Sequence, residues 1–310
     1  MTLISAENLT KHYGIVCAVD QLNLQVEEDS TMCLIGPKGA GKTTMTKMIL
    51  GLVKPDAGRV KVFGEDPWNN VDLRTRVGVV YENPAFPARQ KALEYLERVC
   101  RIYGQPKSRA GELLAQVNIE DASHKQIRSL SAGTLQKFAL AHALINQPKL
   151  VVGDEVGANL DSVARGDLFD LVLKLCNEEK IPLLLSSYIF PELDRICNSV
   201  ALMSRGRILA SGKLEDLYEE FPSKTVLIST DQPDKLAELV KSLSYVHRVT
   251  TNSKGISVKV IGKTDDTLVA DASRFAQKGR IKILNTESTS NSLEDLYRQV
   301  CHKKEESQCE

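Results

Sequence analysis

The chain has 310 residues, enough for one large core but more typical of two domains. Lys plus Arg number 40 and Asp plus Glu number 40, so the formal net charge is zero, which argues against a whole-molecule nucleic-acid footprint. The seven cysteines form no CxxC pair and do not indicate a disulfide framework, so we expect mostly buried thiols and a cytosolic protein. No secretory signal and no membrane span is predicted, because no apolar run reaches about 18 residues.

Strand and helix patterns alternate in the first two thirds of the chain, around a glycine-rich loop. Strands are predicted at residues 31–35, 60–63, 77–80, 150–152 and 183–185, and helices at 43–52, 92–103, 110–117, 131–146 and 164–178. Between about residues 89 and 147 the predicted elements are all helices. The sequence therefore predicts an α/β P-loop domain over residues 1–221, with a helical insert at about 89–147.

A second pattern begins near residue 224. Strands are predicted at 224–229, 246–250, 256–261 and 281–285, and helices at 234–243 and 267–277. The order β-α-β-β-α-β is that of a ferredoxin-like split βαβ unit. We therefore predict a small α+β accessory domain over residues 222–301, closed by a helix at 293–300. The polar residues 302–310 are expected to form a disordered tail.

The glycine-rich loop carries the clearest chemical pattern. Its residues fit GxxxxGK[ST] and are Gly36, Pro37, Lys38, Gly39, Ala40, Gly41, Lys42 and Thr43. Glycines let backbone N–H groups turn toward one point and hold phosphate oxygens, helped by the positive end of the following helix. Lys42 is expected to reach the terminal phosphates, and the Thr43 hydroxyl to help hold Mg²⁺. The alternative is a structural turn, but the flanking strand and helix favour nucleotide binding.

Two carboxylates follow the apolar strand predicted at residues 150–152. Asp154 at the strand end can bind Mg²⁺ through water, and Glu155 can polarise an attacking water molecule. Many strands end in acidic residues at a solvated edge, so the pattern gains its meaning from the phosphate loop. Together they predict a site for a nucleoside triphosphate and its metal ion.

Residues 3 to about 220 resemble the nucleotide-binding domains of ABC transporters, motif by motif. The matching positions are the loop extended through Thr44, Tyr13 at the aromatic that stacks on adenine, Glu82 at the Q-loop, Ser131 and Gly133 in an LSAGT signature, Asn159-Leu160-Asp161 at the D-loop and Tyr188 at the H-loop. The resemblance implies nucleotide-binding roles for the loop, Tyr13, Asp154, Ser131 and Gly133. It implies catalytic roles for Glu155, Glu82 and Tyr188, and Mg²⁺ contacts for Thr43, Glu82 and Asp154 through phosphates and water.

The mechanism implied by this resemblance needs two ATP-binding chains and a permease. Two domains pack head to tail as a homodimer or heterodimer, and each ATP lies between one phosphate loop and the partner's Ser131 and Gly133. ATP closes the dimer, and its hydrolysis reopens it and drives a separate membrane-spanning permease. The second domain resembles the appended domain of drug-export ATPases of the ABC-2 type, ending in Ser292-Leu293-Glu294-Asp295-Leu296-Tyr297. We therefore expect an export ATPase peripheral to the cytoplasmic face of the membrane, with no nucleic-acid partner.

Departures from the family pattern leave alternatives open. Ala132 and Thr134 change the signature, Lys38 replaces the common Asn, and Tyr188 replaces the usual His, whereas Glu155 is retained. One alternative is therefore a weakly hydrolysing or regulatory half of a heterodimeric ABC transporter. Another is an ABC protein that acts on ribosomes or DNA. Such proteins join two ATPase halves in one chain or insert a long coiled coil, and the sequence contains neither.

Overall fold

The computed structural model describes residues 2–28, 30–190, 193–221, 223–252, 254–261, 265–289 and 292–306. The chain divides into two compact units, Met1–Leu214 and Glu215–Glu310. This division falls a little before residue 221, where the sequence placed the domain boundary.

The first unit, with the short helix that follows it, alternates strands and helices. In chain order these are β1 (Thr2–Tyr13), β2 (Val16–Glu27), β3 (Thr31–Ile35), α1 (Lys42–Ile49), β4 (Ala57–Val62), β5 (Val77–Tyr81), α2 (Ala92–Ile102), α3 (Ser108–Gln116), α4 (Ala132–Ala143), β6 (Leu150–Asp154), α5 (Ser162–Glu179), β7 (Leu183–Ser187), β8 (Ser199–Ser204), β9 (Arg207–Lys213) and α6 (Leu214–Glu220).

A six-stranded sheet of order β5-β6-β7-β3-β8-β9 forms the centre of this unit. Strands β5, β6, β7, β3 and β8 run parallel, and β9 pairs antiparallel with β8. Every residue of β3, β6 and β7 is buried, which explains why their sequences are mostly apolar, with polar residues only at the strand ends. Since parallel strands share one carboxyl edge, the loops after β3, β6 and β7 meet there. That edge is where ligands bind in open α/β sheets.

A second, antiparallel sheet has the order β2-β1-β4. Its inward side chains, among them Ile4, Leu9, Val19 and Val62, are fully buried in the same core as Met45 of α1. The sheet therefore covers the phosphate-loop helix and brings the start of β2 close to the loop.

Three helices, α2, α3 and α4, lie between β5 and β6, in the segment where the sequence predicts a helical insert. Phe138 of α4 is fully buried, and the ring of Phe86 stacks edge-on against it with centroids 5.0 Å apart. Tyr95 of α2 and His142 of α4 complete this aromatic cluster. Among the described residues, no helix combines the length and apolar character needed to cross a lipid bilayer.

One pair of cysteines departs from the expectation of free thiols. Cys33 on β3 and Cys197 just before β8 form a disulfide, with Cα atoms 6.0 Å apart and a sequence separation of 164. The sequence gives no sign of it, because only the adjacency of β3 and β8 in the sheet brings the two residues together. Cys17 and Cys100 are free, and Cys100 is buried as expected.

The second unit contains β10 (Ser223–Thr230), α7 (Pro233–Lys241), β11 (Val246–Asn252), β12 (Gly255–Ile261), α8 (Asp265–Gly279), β13 (Ile283–Thr289) and α9 (Leu293–Glu306). All pairings in its sheet, of order β11-β12-β10-β13, are antiparallel. Val226, Ile228 and Val258 of the sheet form one core with Leu236 of α7 and Leu268 of α8. The predicted β-α-β-β-α-β order is therefore present.

The closing helix is longer than the sequence predicts. Helix α9 continues to Glu306, so the expectation of a disordered tail is wrong for residues 302–306. Lys and Glu are good helix formers, and the Lys303 ammonium lies 4.8 Å from the centroid of the Phe221 ring. The remainder of the predicted tail, residues 307–310, lies outside the described residues.

Candidate nucleotide site

The glycine-rich loop connects the end of β3 to α1, and two of its glycines are required by close packing. A Cβ on Gly36 would lie 2.2 Å from the carbonyl oxygen of Met203. A Cβ on Gly41 would lie 2.4 Å from the carbonyl oxygen of Ala18, and Gly41 has a φ of 103°. Side chains cannot fit at either position, so the sequence pattern here reflects a backbone held tightly against its neighbours.

Lys42, the first residue of α1, points its ammonium group back into the loop. The side chain is buried, and its Nζ donates to the carbonyl oxygens of Gly36 at 2.7 Å and Pro37 at 3.0 Å. The same Nζ forms an ion pair with Glu155 Oε1 at 3.0 Å. An ammonium group has three donors, and these contacts engage all of them. An incoming phosphate must therefore replace at least one of them.

Asp154 ends β6 beside this loop. Its Oδ1 accepts hydrogen bonds from Thr43 Oγ1 at 3.2 Å and from Ser186 Oγ at 2.6 Å, and the residue is buried. A threonine hydroxyl and a carboxylate oxygen are hard oxygen ligands of the kind that Mg²⁺ takes from proteins. Thr43 and Asp154 thus fit a magnesium ion held between the loop and the sheet.

Glu155 is held in an unusual backbone conformation. Its φ is 54°, in the left-handed region, which costs a non-glycine residue on the order of 1–3 kcal/mol. The surroundings fix it, because its N–H donates to both the carbonyl and the hydroxyl oxygen of Ser186, each at 3.0 Å. Its Oε2 is buried, and no hydrogen-bond donor in the described part of the chain reaches it. That oxygen is therefore free to accept a proton or to orient a water molecule.

A cavity of about 510 Å³ opens beside these groups. The predicted residues that line it are Lys38, Gly39, Gly41, Lys42, Thr43, Thr44, Glu82, Glu155 and Tyr188. Asp154 and the Pro37 carbonyl oxygen do not line the cavity themselves, but each accepts a hydrogen bond from a residue that does, Thr43 and Lys42 respectively. Ala40 is buried beneath the loop. The structure therefore brings most of the predicted site residues to one cavity.

Four further residues line this cavity and were not predicted from the sequence: Val16, Cys17, Ala18 and Arg205. Arg205 precedes Gly206, whose N–H donates to the carbonyl oxygen of Ala40 at 3.0 Å. Neither segment fits a recognisable motif, and both are distant from the loop in sequence. Only the pairing of the two sheets with the loop could have revealed them.

Tyr13 lies at the end of β1 and does not line the cavity. Its side chain is half exposed and Lys11 Nζ lies 5.8 Å from its ring centroid. Tyr13 pairs across the hairpin with Val16, which lines the cavity, so Tyr13 is adjacent to a lining residue.

Glu82 is connected to two other predicted motifs. Its Oε1 accepts from Asn159 Nδ2 at 3.3 Å, and its carbonyl oxygen accepts from Gln136 Nε2 at 2.7 Å. Gln136 is a buried residue of α4 and also donates to the carbonyl oxygen of Tyr81 at 3.1 Å. Gln136 therefore ties the signature helix to the residue that faces the cavity, a role the sequence did not indicate.

Ser131 and Gly133 lie at the start of α4 and are absent from the cavity lining. Ser131 caps the helix, because its Oγ accepts from the Thr134 N–H at 3.2 Å. The Ser131 and Thr134 hydroxyls are also hydrogen-bonded at 2.8 Å. The exposed signature therefore does not act on the cavity of its own chain in this structure.

Tyr188 faces Lys38 across the cavity. The Lys38 Nζ lies 4.8 Å from the centroid of the Tyr188 ring, within the range of a cation–π contact. Both residues depart from the family pattern, and the structure places them together.

A strand, a glycine-rich loop and a helix, with Lys42 and Thr43 facing an acidic strand end, define the chain as a P-loop nucleotide-binding protein. The ATP-binding cassette MJ0796, solved as a post-hydrolysis dimer with ADP and phosphate, has a similar fold. It is 25% identical, with a TM-score of 0.61, covering 68% of this chain and 98% of the solved one.

Sequence comparison then gives the family. The profile of the ABC transporter family matches residues 19–158. The Nod factor export ATP-binding protein I of Rhizobium etli is 30% identical over 307 residues, covering 96% of this chain and 92% of that protein. The bacitracin transport ATP-binding protein BcrA of Bacillus licheniformis is 28% identical and covers 96% of both chains. The chain belongs to the ATP-binding proteins of ABC transporters, which are ATPases coupled to transport, and the predicted family and P-loop fold are confirmed.

Proposed function

We propose that this chain hydrolyses ATP with Mg²⁺ to power export through a separate membrane permease, from the cytoplasmic face. The observation that carries the proposal is the contact between the buried Lys42 ammonium and Glu155, beside the Thr43–Asp154 pair. A triphosphate at this cavity would meet a cation, a metal-binding pair and a proton acceptor together. The relatives in Nod factor export and bacitracin transport match nearly the whole chain, which supports the export role.

Each residue of the cavity takes a role that its contacts allow. Lys42 exchanges a loop carbonyl or Glu155 for the terminal phosphates, and the loop N–H groups bind phosphate oxygens. Thr43, Asp154 and Glu82 are the residues that would hold Mg²⁺ here, where the ion would supply positive charge to offset that of the phosphates. Glu155 accepts a proton from the attacking water through its unpaired Oε2. Tyr13 stacks on the adenine when the base lies against the hairpin.

The signature supports a dimer mechanism. Ser131 and Gly133 lie outside their own chain's cavity, so they are available to the ATP held by a second chain. ATP then favours the closed dimer because only that state makes both sets of contacts. The partner is a second copy of this chain or a different ATP-binding subunit.

A pocket on the helical insert is the surface that we assign to the permease. It has a volume of about 310 Å³, and Tyr81, Phe86, Tyr95, Tyr103 and His142 contribute to its lining. The side chains of Tyr81 and Tyr103 are partly exposed, and amphipathic aromatic rings are typical of protein interfaces. Because Tyr81 precedes Glu82, movement at this pocket reaches the nucleotide cavity directly.

Replacement of Lys42 tests the nucleotide site. Lys42→Ala removes the buried cation, and we expect ATP affinity to fall by at least about tenfold, since one charged hydrogen bond contributes roughly 1.5–3 kcal/mol. Titration with a fluorescent ATP analogue measures the change. Lys47→Ala, on the exposed side of the same helix, is the matched control. Unchanged affinity in a folded Lys42→Ala protein would assign ATP to another site.

The second candidate function is a weakly hydrolysing, regulatory half of a heterodimer. The observation that favours it is the engagement of the Ser131 hydroxyl by Thr134, which competes with any phosphate of a partner chain. Steady-state ATPase assays of the chain alone and with a second ATP-binding subunit distinguish the two. A rate that rises only with the second subunit supports the regulatory role.

A further inference from the structure

We infer that Lys38 is a second cation for the terminal phosphate of ATP, and that the ring of Tyr188 holds its ammonium group in position. This inference rests on the proposed nucleotide site. It assigns Lys38 a direct contact with ATP, and it makes Tyr188 a positioning residue that acts through its ring face.

The two lysines of the phosphate loop differ in the contacts that their ammonium groups make. The Lys42 donors are all engaged, by two carbonyl oxygens and by Glu155. None of the ion pairs in the described part of the chain involves Lys38, and its ammonium lies 4.8 Å from the Tyr188 ring centroid. Because the Tyr188 ring carries no charge, a phosphate can bind the Lys38 ammonium without displacing an anion. Lys38 is therefore the more readily available of the two charges.

Tyr188 lies close to both the phosphate loop and Glu155. It follows β7 directly, and Ser186, two residues earlier, bonds to both Asp154 and the Glu155 N–H. The N–H of Gly36, where the phosphate loop begins, donates to the carbonyl oxygen of Ser187 at 3.4 Å. Tyr188 thus stands between the start of the loop and the proton acceptor. That is the end of the cavity where the terminal phosphate must lie for Glu155 to activate a water molecule.

The Tyr188 ring also limits the rotamer freedom of the Lys38 side chain. Lys38 is exposed on a loop, and a free lysine side chain loses on the order of 2 kcal/mol of rotamer entropy when it is fixed. The Tyr188 ring, anchored to the end of a buried strand, restricts this side chain before ATP arrives. Part of the rotamer entropy of Lys38 is then already lost in the free protein, so less is lost when ATP binds.

A double-mutant cycle tests the pair. ATP and ADP affinities are measured by competition with a fluorescent ATP analogue in the parent, Lys38→Gln, Tyr188→Leu and the double variant. We expect Lys38→Gln to weaken ATP binding about tenfold, because it removes a charged hydrogen bond to the terminal phosphate. Tyr188→Leu should weaken ATP binding about two- to fivefold, as the loss of an exposed cation–π contact implies, and both changes should leave ADP affinity almost unaltered. The double variant should lose no more than the weaker-binding single variant, because the two residues act as one unit. Tyr188→Phe should restore most of the affinity lost in Tyr188→Leu.

Control variants separate the possible failures. Lys47→Gln removes a lysine charge from α1 outside the cavity and should leave both affinities unchanged. Additive losses, equal losses for ATP and ADP, or no effect of Lys38→Gln would overturn the inference while leaving the nucleotide site intact. A folded parent protein that binds no ATP would instead refute the proposed function. Rescue by Tyr188→Phe distinguishes the ring from the hydroxyl, since only a role of the hydroxyl predicts no recovery.

Discussion

Glu155 shows what backbone geometry adds to a motif at the scale of single residues. The sequence supplies an acidic residue after a strand, which many proteins have. The structure supplies its left-handed backbone, its two bonds to Ser186 and an unpaired buried oxygen. These features keep the carboxylate at a fixed place, which is what a proton acceptor needs. Ser186 belongs to the positioning of the site and could not be recognised from its own sequence context.

We predict that Glu155→Gln abolishes most hydrolysis while retaining ATP binding. Glutamine has the same shape and the same backbone preference but cannot accept a proton, so the rate should fall by about 10²–10⁴. Bound ATP that is not hydrolysed should then hold two chains together as a dimer. Sedimentation with MgATP, and with MgADP as the control, detects the dimer. A variant that hydrolyses ATP within a few-fold of the parent rate would place the proton acceptor elsewhere.

At the scale of elements, the strands that are buried on both faces were predictable and the N-terminal hairpin was not. Thr31–Ile35 is buried throughout and matches its predicted bounds. In β1 and β2 the pairing register shifts several times, and Asn8 and Gln21 have φ values of 46° and 45°. Each irregularity moves later side chains to the other face, so the alternation expected of a half-buried strand is lost.

Helix α4 carries a pH-dependent contribution to stability through His142. Burial lowers the His142 pKa below its ordinary value of 6.5, among the rings of Phe86 and Tyr95. As the pH falls through about 6.5, the unfolded chain takes up a proton that the folded chain does not, so folding stability falls. The slope is at most about 1.4 kcal/mol per pH unit.

We predict that His142→Phe removes this dependence while filling the same aromatic cluster. Urea denaturation of both proteins at several pH values between about 5 and 8 measures it. The parent should lose stability relative to the variant as the pH is lowered. Parallel curves for the two proteins would show that His142 titrates alike in the folded and unfolded chains.

At the scale of the whole molecule, the chain forms two compact units, and the boundary between them differs from the one that the sequence suggests. The sequence pattern changes near residue 224, but the compact first unit ends at Leu214, which is the first residue of α6. Leu214 and Leu217 are buried, so α6 is a packed helix and not an exposed linker. A continuous helical segment carries no composition change, so the division is invisible to a reading of the sequence alone.

We predict that the first unit binds ATP without the second. Every residue that lines the nucleotide cavity lies between Val16 and Arg205, and the unit has its own core. A chain shortened to residues 1–221 should bind a fluorescent ATP analogue within about twofold of the full-length affinity. If the shortened chain unfolds cooperatively and yet fails to bind, the second unit contributes to the site.

The residues that line the nucleotide cavity are far apart in the sequence, and this affects the stability of the first unit. The lining draws on the start of β2, the phosphate loop, the segments after β5, β6 and β7, and the turn after β8. A ligand held by all of these segments binds only when the whole first unit is folded. The free energy of ligand binding therefore adds to the free energy of unfolding of that unit. At a free ATP concentration of 100 times Kd this amounts to about 2.7 kcal/mol. ATP should therefore raise the melting transition of the first unit and leave that of the second where it was.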